Sequence, residues 1–164
     1  MNDKGKLILF CGKMGAGKTT LSQSIDSEST AVLMSEDEWL SSHYPGDINS
    51  FDDYLSYSQR IKPFVKRHIQ QLLKAGLMVV LDFPANTSKQ RKWLLSLCDE
   101  VNCDHELMYL HVSDEVCLTQ ITKRRKEQPE RAQFDTPEVF REVTKYFESP
   151  SEDEGLNIVE RMKL

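Results

Sequence analysis

The segment Gly12-Lys13-Met14-Gly15-Ala16-Gly17-Lys18-Thr19 satisfies the pattern G-x-x-x-x-G-K-[ST] at every fixed position, and the apolar run Leu7-Ile8-Leu9-Phe10-Cys11 leads straight into it. Such a segment cradles phosphate. Glycines let the backbone turn through conformations that side chains obstruct, so that successive N–H groups point at anionic oxygens. Lys18 is expected to reach the β- and γ-phosphates of a nucleoside triphosphate, and the Thr19 hydroxyl to be a ligand of Mg²⁺. Residues 18–25 read as a helix with Leu21 and Ile25 on its apolar side, and its positive end faces the same anion. Gly12 through Thr20 are therefore the expected nucleotide contacts.

Three further positions carry chemistry. Asp37, in Ser35-Glu36-Asp37-Glu38-Trp39, follows an apolar run and can accept the proton of an attacking hydroxyl. The same residues equally suit a helix start, with Ser35 or Asp37 as cap and Glu38 in the first turn. Val79-Val80-Leu81-Asp82 has the apolar-run-then-Asp form of a Walker B element, where a carboxylate holds Mg²⁺ or contacts the acceptor. A turn cap is the alternative, but a carboxylate at the end of a buried strand is costly without a task. Asn86 and Thr87 read as turn and cap residues ahead of a helix that contains Arg91. Finally, Lys123-Arg124-Arg125-Lys126, with Arg131 beyond Pro129, can swing over a nucleotide and neutralise developing charge. A solvated basic helix end explains the cluster as well.

These residues need a scaffold, and the hydropathy pattern supplies one. Strands are predicted at 7–11, 31–35, 77–81, 107–112 and, more weakly, 156–159. Helices are predicted at 52–75, 88–101, 114–127 and 137–147, with Pro63 kinking or dividing the first and Gly76 ending it. Strands alternating with helices imply a mainly parallel sheet covered on both faces, in which ligands bind beyond the carboxyl ends of the strands. Asp37 and Asp82 sit at such ends.

A chain of 164 residues suits one α/β domain spanning 1–164. Its 39% hydrophobic and 29% charged content is that of a globular protein, and a net charge of −5 disfavours nucleic acid and anionic membranes as partners. Met1 to Lys6 leave no room for a leader, and no apolar stretch approaches the roughly 18 residues of a membrane span. Cys11, Cys98, Cys103 and Cys117 form no C-x-x-C pair, which fits reduced buried thiols and a cytoplasmic location. His43, His68, His105 and His111 lack ligand spacing. Arg60, Lys62, Lys66 and Arg67 suit a solvated helix face, with contact to an anionic acceptor as the sharper alternative.

With the phosphate loop, Asp37, Asp82, Asn86-Thr87 and Arg124-Arg125 in this order, the chain resembles the P-loop kinase superfamily with its zeta-toxin-like, chloramphenicol phosphotransferase-like and polynucleotide-kinase-like members. It looks closest to bacterial ATP-binding proteins grouped as an AAA-type P-loop family of kinase-like architecture. Phe147-Glu148-Ser149-Pro150 and Glu154-Gly155 resemble recurring elements of that family, so the likeness covers nearly the whole chain. The resemblance implies a three-layer α/β fold with a five-stranded parallel sheet in 2-3-1-4-5 order. It also implies ATP as the nucleotide, Asp37 as the residue that orients or deprotonates an acceptor, and a lid around 123–133 supplying Arg124 or Arg125, with Arg131 a further candidate. Polynucleotide-kinase-like relatives carry an Arg about one turn after the catalytic Asp. Leu40 and Ser41 stand there in this chain, which argues against a nucleic-acid 5′-hydroxyl acceptor.

The expected function is an ATP-dependent phosphotransferase that uses Lys18, Asp37, Arg124 and Arg125 on an unidentified small-molecule hydroxyl. A nucleotide-gated regulatory or interaction protein is the competing class. Asp82 is followed by Phe-Pro-Ala rather than the D-x-x-G of GTPase switches, and no N-K-x-D guanine motif is present. Nothing in the pattern specifies an oligomeric state.

Overall fold

The computed structural model describes residues 3–28 and 30–162; Met1 and Asn2, on which the leader reading partly rests, lie outside them. Five strands form one parallel sheet: β1 (Lys6–Cys11), β2 (Ala31–Ser35), β3 (Met78–Asp82), β4 (Asp104–His111) and β5 (Ile158–Met162), in the order β2-β3-β1-β4-β5. The fold is thus the three-layer P-loop arrangement, with the phosphate loop leaving the central strand.

Strand alternation divides the core in two. Leu7, Leu9, Cys11, Val79, Leu81, Leu107 and Tyr109 point to one face, where α3 (Phe51–Lys74) and α4 (Ser88–Asp99) cover them through Val65, Ile69, Leu73, Leu94 and Leu97. Ile8, Phe10, Val80, Met108 and Leu110 point to the other. There α1 (Lys18–Glu28), α5 (Asp114–Glu127) and α6 (Pro137–Thr144) pack with Leu21, Ile25, Cys117, Ile121 and Phe140. A period of two in the strand side chains, with both sets apolar, makes the sheet stable only when buried on both sides. All four cysteines are free and buried.

Several boundaries differ from the sequence expectations. Pro63 does not divide its helix, and α3 runs without a break from Phe51 to Lys74. The lost hydrogen bond would have gone to the carbonyl of Gln59, which like Pro63 is exposed and can take water instead, while Ile61, Val65, Ile69 and Leu73 anchor the buried side. Strand β4 starts at Asp104, before its apolar run, because pairing with all of β1 extends it. Strand β5 is displaced to Ile158–Met162, where it pairs with Leu107 to His111. Helix α6 ends at Thr144, short of residue 147. The short helix after β2 is real: α2 spans Glu36–His43. Among the described residues no helix is long and apolar enough to cross a membrane.

Candidate functional site

Gly15 and Gly17 adopt φ of 79° and 101°, the left-handed region that the phosphate loop needs and that side chains resist. At Gly15 the requirement is doubled. A Cβ there would lie 2.7 Å from the Cys117 carbonyl oxygen and 2.8 Å from Ile121 Cγ1, so the loop leans directly on α5. Lys18 opens α1 and donates its Nζ to the carbonyls of Gly12 and, at 3.2 Å, Lys13. Burial pushes its ammonium below the ordinary lysine value, with Asp82 among the groups opposing the shift. Lys13 points the other way, pairing with Asp114 at 2.6 Å and standing 5.8 Å from the Phe147 ring. Met14 packs against the α5 side of the core, Ala16 is buried, and Thr20 is exposed.

The Thr19 hydroxyl donates to Asp82 Oδ2 at 2.9 Å, joining the start of α1 to the end of β3. Burial at the strand end raises the Asp82 pKa, the Thr19 hydrogen bond lowers it, and the nearby Asp37 carboxylate raises it again. The three residues therefore share one electrostatic neighbourhood. Octahedral Mg²⁺ with ligands at about 2.1 Å sets adjacent oxygens about 3.0 Å apart, so the Thr19–Asp82 separation and the hard oxygen donors fit that ion. Among the described residues no group of three or more His, Cys, Asp or Glu could hold a metal, which leaves phosphate and water to complete such a shell.

Ser35 takes the capping role on α2, its side chain accepting from the Glu38 N–H, while Asp37 lies exposed in the first turn. The carboxylate beside it is the buried one. Glu36 is 3% exposed and accepts from the Tyr54 hydroxyl and, at 2.9 Å, from Ser58, which fixes the start of α2 to α3. Burial raises its pKa against those two hydrogen bonds.

The basic cluster is organised by a residue the sequence reading missed. Arg124 grips Asp135 with two bonds of 2.8 and 2.6 Å, and Arg131 adds a third at 3.1 Å. The Asp135 side chain is fully buried. Burial alone would raise its pKa, but the two guanidiniums outweigh burial and hold it below the usual carboxylate range. Arg124 is close enough to the phosphate loop for its charge to disfavour protonation of Lys18. Arg125 is exposed and forms no ion pair among the described residues. Of the predicted lid arginines, the structure thus brings Arg124 and Arg131 together on one carboxylate and leaves Arg125 apart.

The family profile described as AAA domain matches residues 7–150. The chain belongs to this AAA-domain family. No curated protein matches the sequence. Solved structures share the fold at low identity. A protein of Chloroflexus aurantiacus aligns at TM-score 0.75 and 17% identity, covering 97% of this chain and 88% of that one. The Mycobacterium tuberculosis APS kinase CysC, in complex with AMPPNP and APS, aligns at TM-score 0.65 and 14% identity, with coverage of 97% and 88%. Chaetomium thermophilum Kti12, in complex with ADP-AlF3, aligns at TM-score 0.63 and 15% identity, with coverage of 94% and 88%.

In this AAA-domain protein two other residues do more than the sequence suggested. Thr87 is the helix cap, completing a capping box with Gln90, but Asn86 is not merely a turn residue. Its Oδ1 accepts from the Gly12 N–H at 3.0 Å and its carbonyl accepts from Glu148 N–H at 2.8 Å, so it braces the entry of the phosphate loop against the chain beyond α6. Arg91, 1% exposed, binds the Glu154 carboxylate at 2.9 Å and the carbonyls of Ala85 and Glu148 at 3.0 and 2.8 Å. The acidic stretch 148–154 is therefore clasped onto α4.

Proposed function

We propose that the chain 1–164 acts as one ATP:hydroxyl phosphotransferase domain. The observation that carries this reading is the Thr19–Asp82 contact at the foot of the glycine cradle, with the exposed Asp37 carboxylate in the same electrostatic neighbourhood. Gly12 through Thr20 bind the triphosphate through backbone N–H groups, and Lys18 exchanges its carbonyl partners for phosphate oxygens. Thr19 and Asp82 would hold Mg²⁺, which when bound would neutralise phosphate charge. Asp37 orients the acceptor hydroxyl for in-line attack. The acceptor oxygen bonds to the γ-phosphorus, the bond from that phosphorus to the β–γ bridging oxygen breaks, and Asp37 takes the hydroxyl proton and returns it to solvent. Residues 123–133 act as the lid, and Arg124, Arg125 or Arg131 faces the transferred phosphoryl once the nucleotide is in place.

The kinase fold of neighbours such as the APS kinase supports this class. Asp37→Asn is expected to abolish transfer from labelled ATP to a hydroxyl library while leaving ATP binding intact, and Lys18→Ala to abolish productive ATP binding. Normal turnover in the Lys18 variant sinks the mechanism. One observation favours a second reading, a nucleotide-gated regulatory protein: Arg124 is held by a buried carboxylate rather than free to close. Turnover that no acceptor stimulates, with a partner's affinity following the nucleotide, decides for it.

A further inference from the structure

Of the cluster Arg60, Lys62, Lys66 and Arg67 on α3, three have settled partners or positions. Lys66 pairs with Glu100 at 2.8 Å on the surface, Arg60 lies over the Tyr57 ring at 4.7 Å, and Arg67 is exposed. Lys62 differs. It is half-buried, its Nζ stands 5.3 Å from the Trp93 ring of α4, and among the described residues it makes neither a hydrogen bond nor an ion pair. An ammonium drawn from water needs donors satisfied or charge balanced, and a ring face alone supplies little of either.

Glu36 is a counter-charge near it, but among the described residues no hydrogen bond or ion pair joins the two. Burial lowers the Lys62 pKa; Glu36 counters this, and Lys89 adds to it by repulsion. Glu36 is already engaged by Tyr54 and Ser58, and Lys89 stands in the first turn of α4, where no acidic residue offsets the helix dipole. Lys89, exposed in that turn, is close enough for its charge to act on Lys62, in a chain whose net charge is −5. Lys62 follows Ser58, the partner of Glu36, by one turn of α3, which places it on the side of the helix that faces the residue before Asp37.

We propose that Lys62, assisted by Lys89, is the specificity determinant for a small acceptor bearing a carboxylate or phosphate in addition to its reacting hydroxyl. This rests on the phosphotransferase reading and adds the acceptor's charge to it. The anion replaces the missing partner of Lys62, and the Trp93 face holds the lysine stem in place.

The test uses labelled ATP and matched acceptors: a hexose and its 6-phosphate, a nucleoside and its 5′-monophosphate, glycerol and glycerate, and a 5′-hydroxyl oligonucleotide. Only anionic small acceptors are expected to be phosphorylated, the phosphate and carboxylate pairs separating the two sources of charge. Lys62→Met keeps the stem against Trp93 and is expected to raise KM for the accepted anion roughly 10- to 100-fold, the loss of one charge-assisted contact. Lys62→Arg is expected to recover much of that loss, and ATP-analogue affinity and the unfolding midpoint are expected to stay near those of the parent. Preference for the neutral members or for the oligonucleotide, or an unchanged KM in Lys62→Met, overturns the anion site while leaving the kinase reading standing. Transfer to no acceptor despite ATP binding overturns both.

Discussion

Gly15 offers the sharpest check on how the phosphate loop is held, because Gly46 provides an internal control. The two glycines share the same backbone conformation, φ of 79° and 80°, but differ in what a side chain would meet. At Gly46 nothing lies within 4 Å of a Cβ, whereas at Gly15 the Cys117 carbonyl and Ile121 crowd it at 2.7 and 2.8 Å. Gly46→Ala therefore pays only the left-handed backbone penalty, about 1–2 kcal/mol. Gly15→Ala adds overpacking of about 1–3 kcal/mol, since the backbone carbonyl cannot swing aside as a side-chain end could. The expected difference between the variants is about 2 kcal/mol, or about 4–8 °C in unfolding midpoint for a chain of this size. Urea unfolding followed by circular dichroism measures it, with equilibrium titration of a fluorescent ATP analogue alongside. Gly15→Ala is expected to weaken the analogue as well, because relief of the clash moves the loop off α5. Equal destabilisation by the two substitutions refutes the argument that α5 sets the position of the loop.

Other consequences concern the buried ion pairs. Arg91→Met removes a guanidinium that serves a carboxylate and three carbonyls, and is expected to cost about 3–5 kcal/mol, with hydrogen exchange of the Glu148 amide accelerating more than that of β1. Asp135→Asn leaves Arg124 and Arg131 partly hydrated, so the loss is expected to be smaller, about 2 kcal/mol. The pH dependence follows from the sign of the shift. The folded Asp135 pKa lies below the unfolded value of about 3.9, so its contribution is complete above that value and is lost as pH falls through the folded pKa. The Asp135→Asn variant is therefore expected to differ from the parent at pH 6 and to converge with it in the acid range, as denaturant midpoints at pH 2.5–6 will measure.

The parts of the site legible in the sequence are those whose geometry is local. The phosphate loop is eight consecutive residues, and its turns, its following helix and its supporting strand are dictated by neighbours in the chain. The five strands and their order were likewise accessible, by alternation and by resemblance, because a double-sided parallel sheet leaves an apolar run at each strand. Boundaries slipped where pairing overrode composition, as at Asp104, which is exposed and charged yet lies in β4 because Lys6 pairs with it.

What the sequence determined by itself is a triphosphate cradle at the end of a central strand, with carboxylates at 37 and 82 near the carboxyl ends of β2 and β3. Only the tertiary structure decided which side chains those groups meet. Asn86 is 74 residues from Gly12, Arg91 is 63 from Glu154, and Arg124 is 11 from a carboxylate that reads, in Asp135-Thr136-Pro137, as part of a helix start. Arg60, Lys62, Lys66 and Arg67 are equivalent in composition, yet packing against α4 gives Lys66 a surface carboxylate and Lys62 an aromatic face. The physical reason is range. Backbone conformation is fixed within a few residues, whereas the energy of a charge depends on which distant groups the fold brings to within a few ångströms and how much water it excludes from between them.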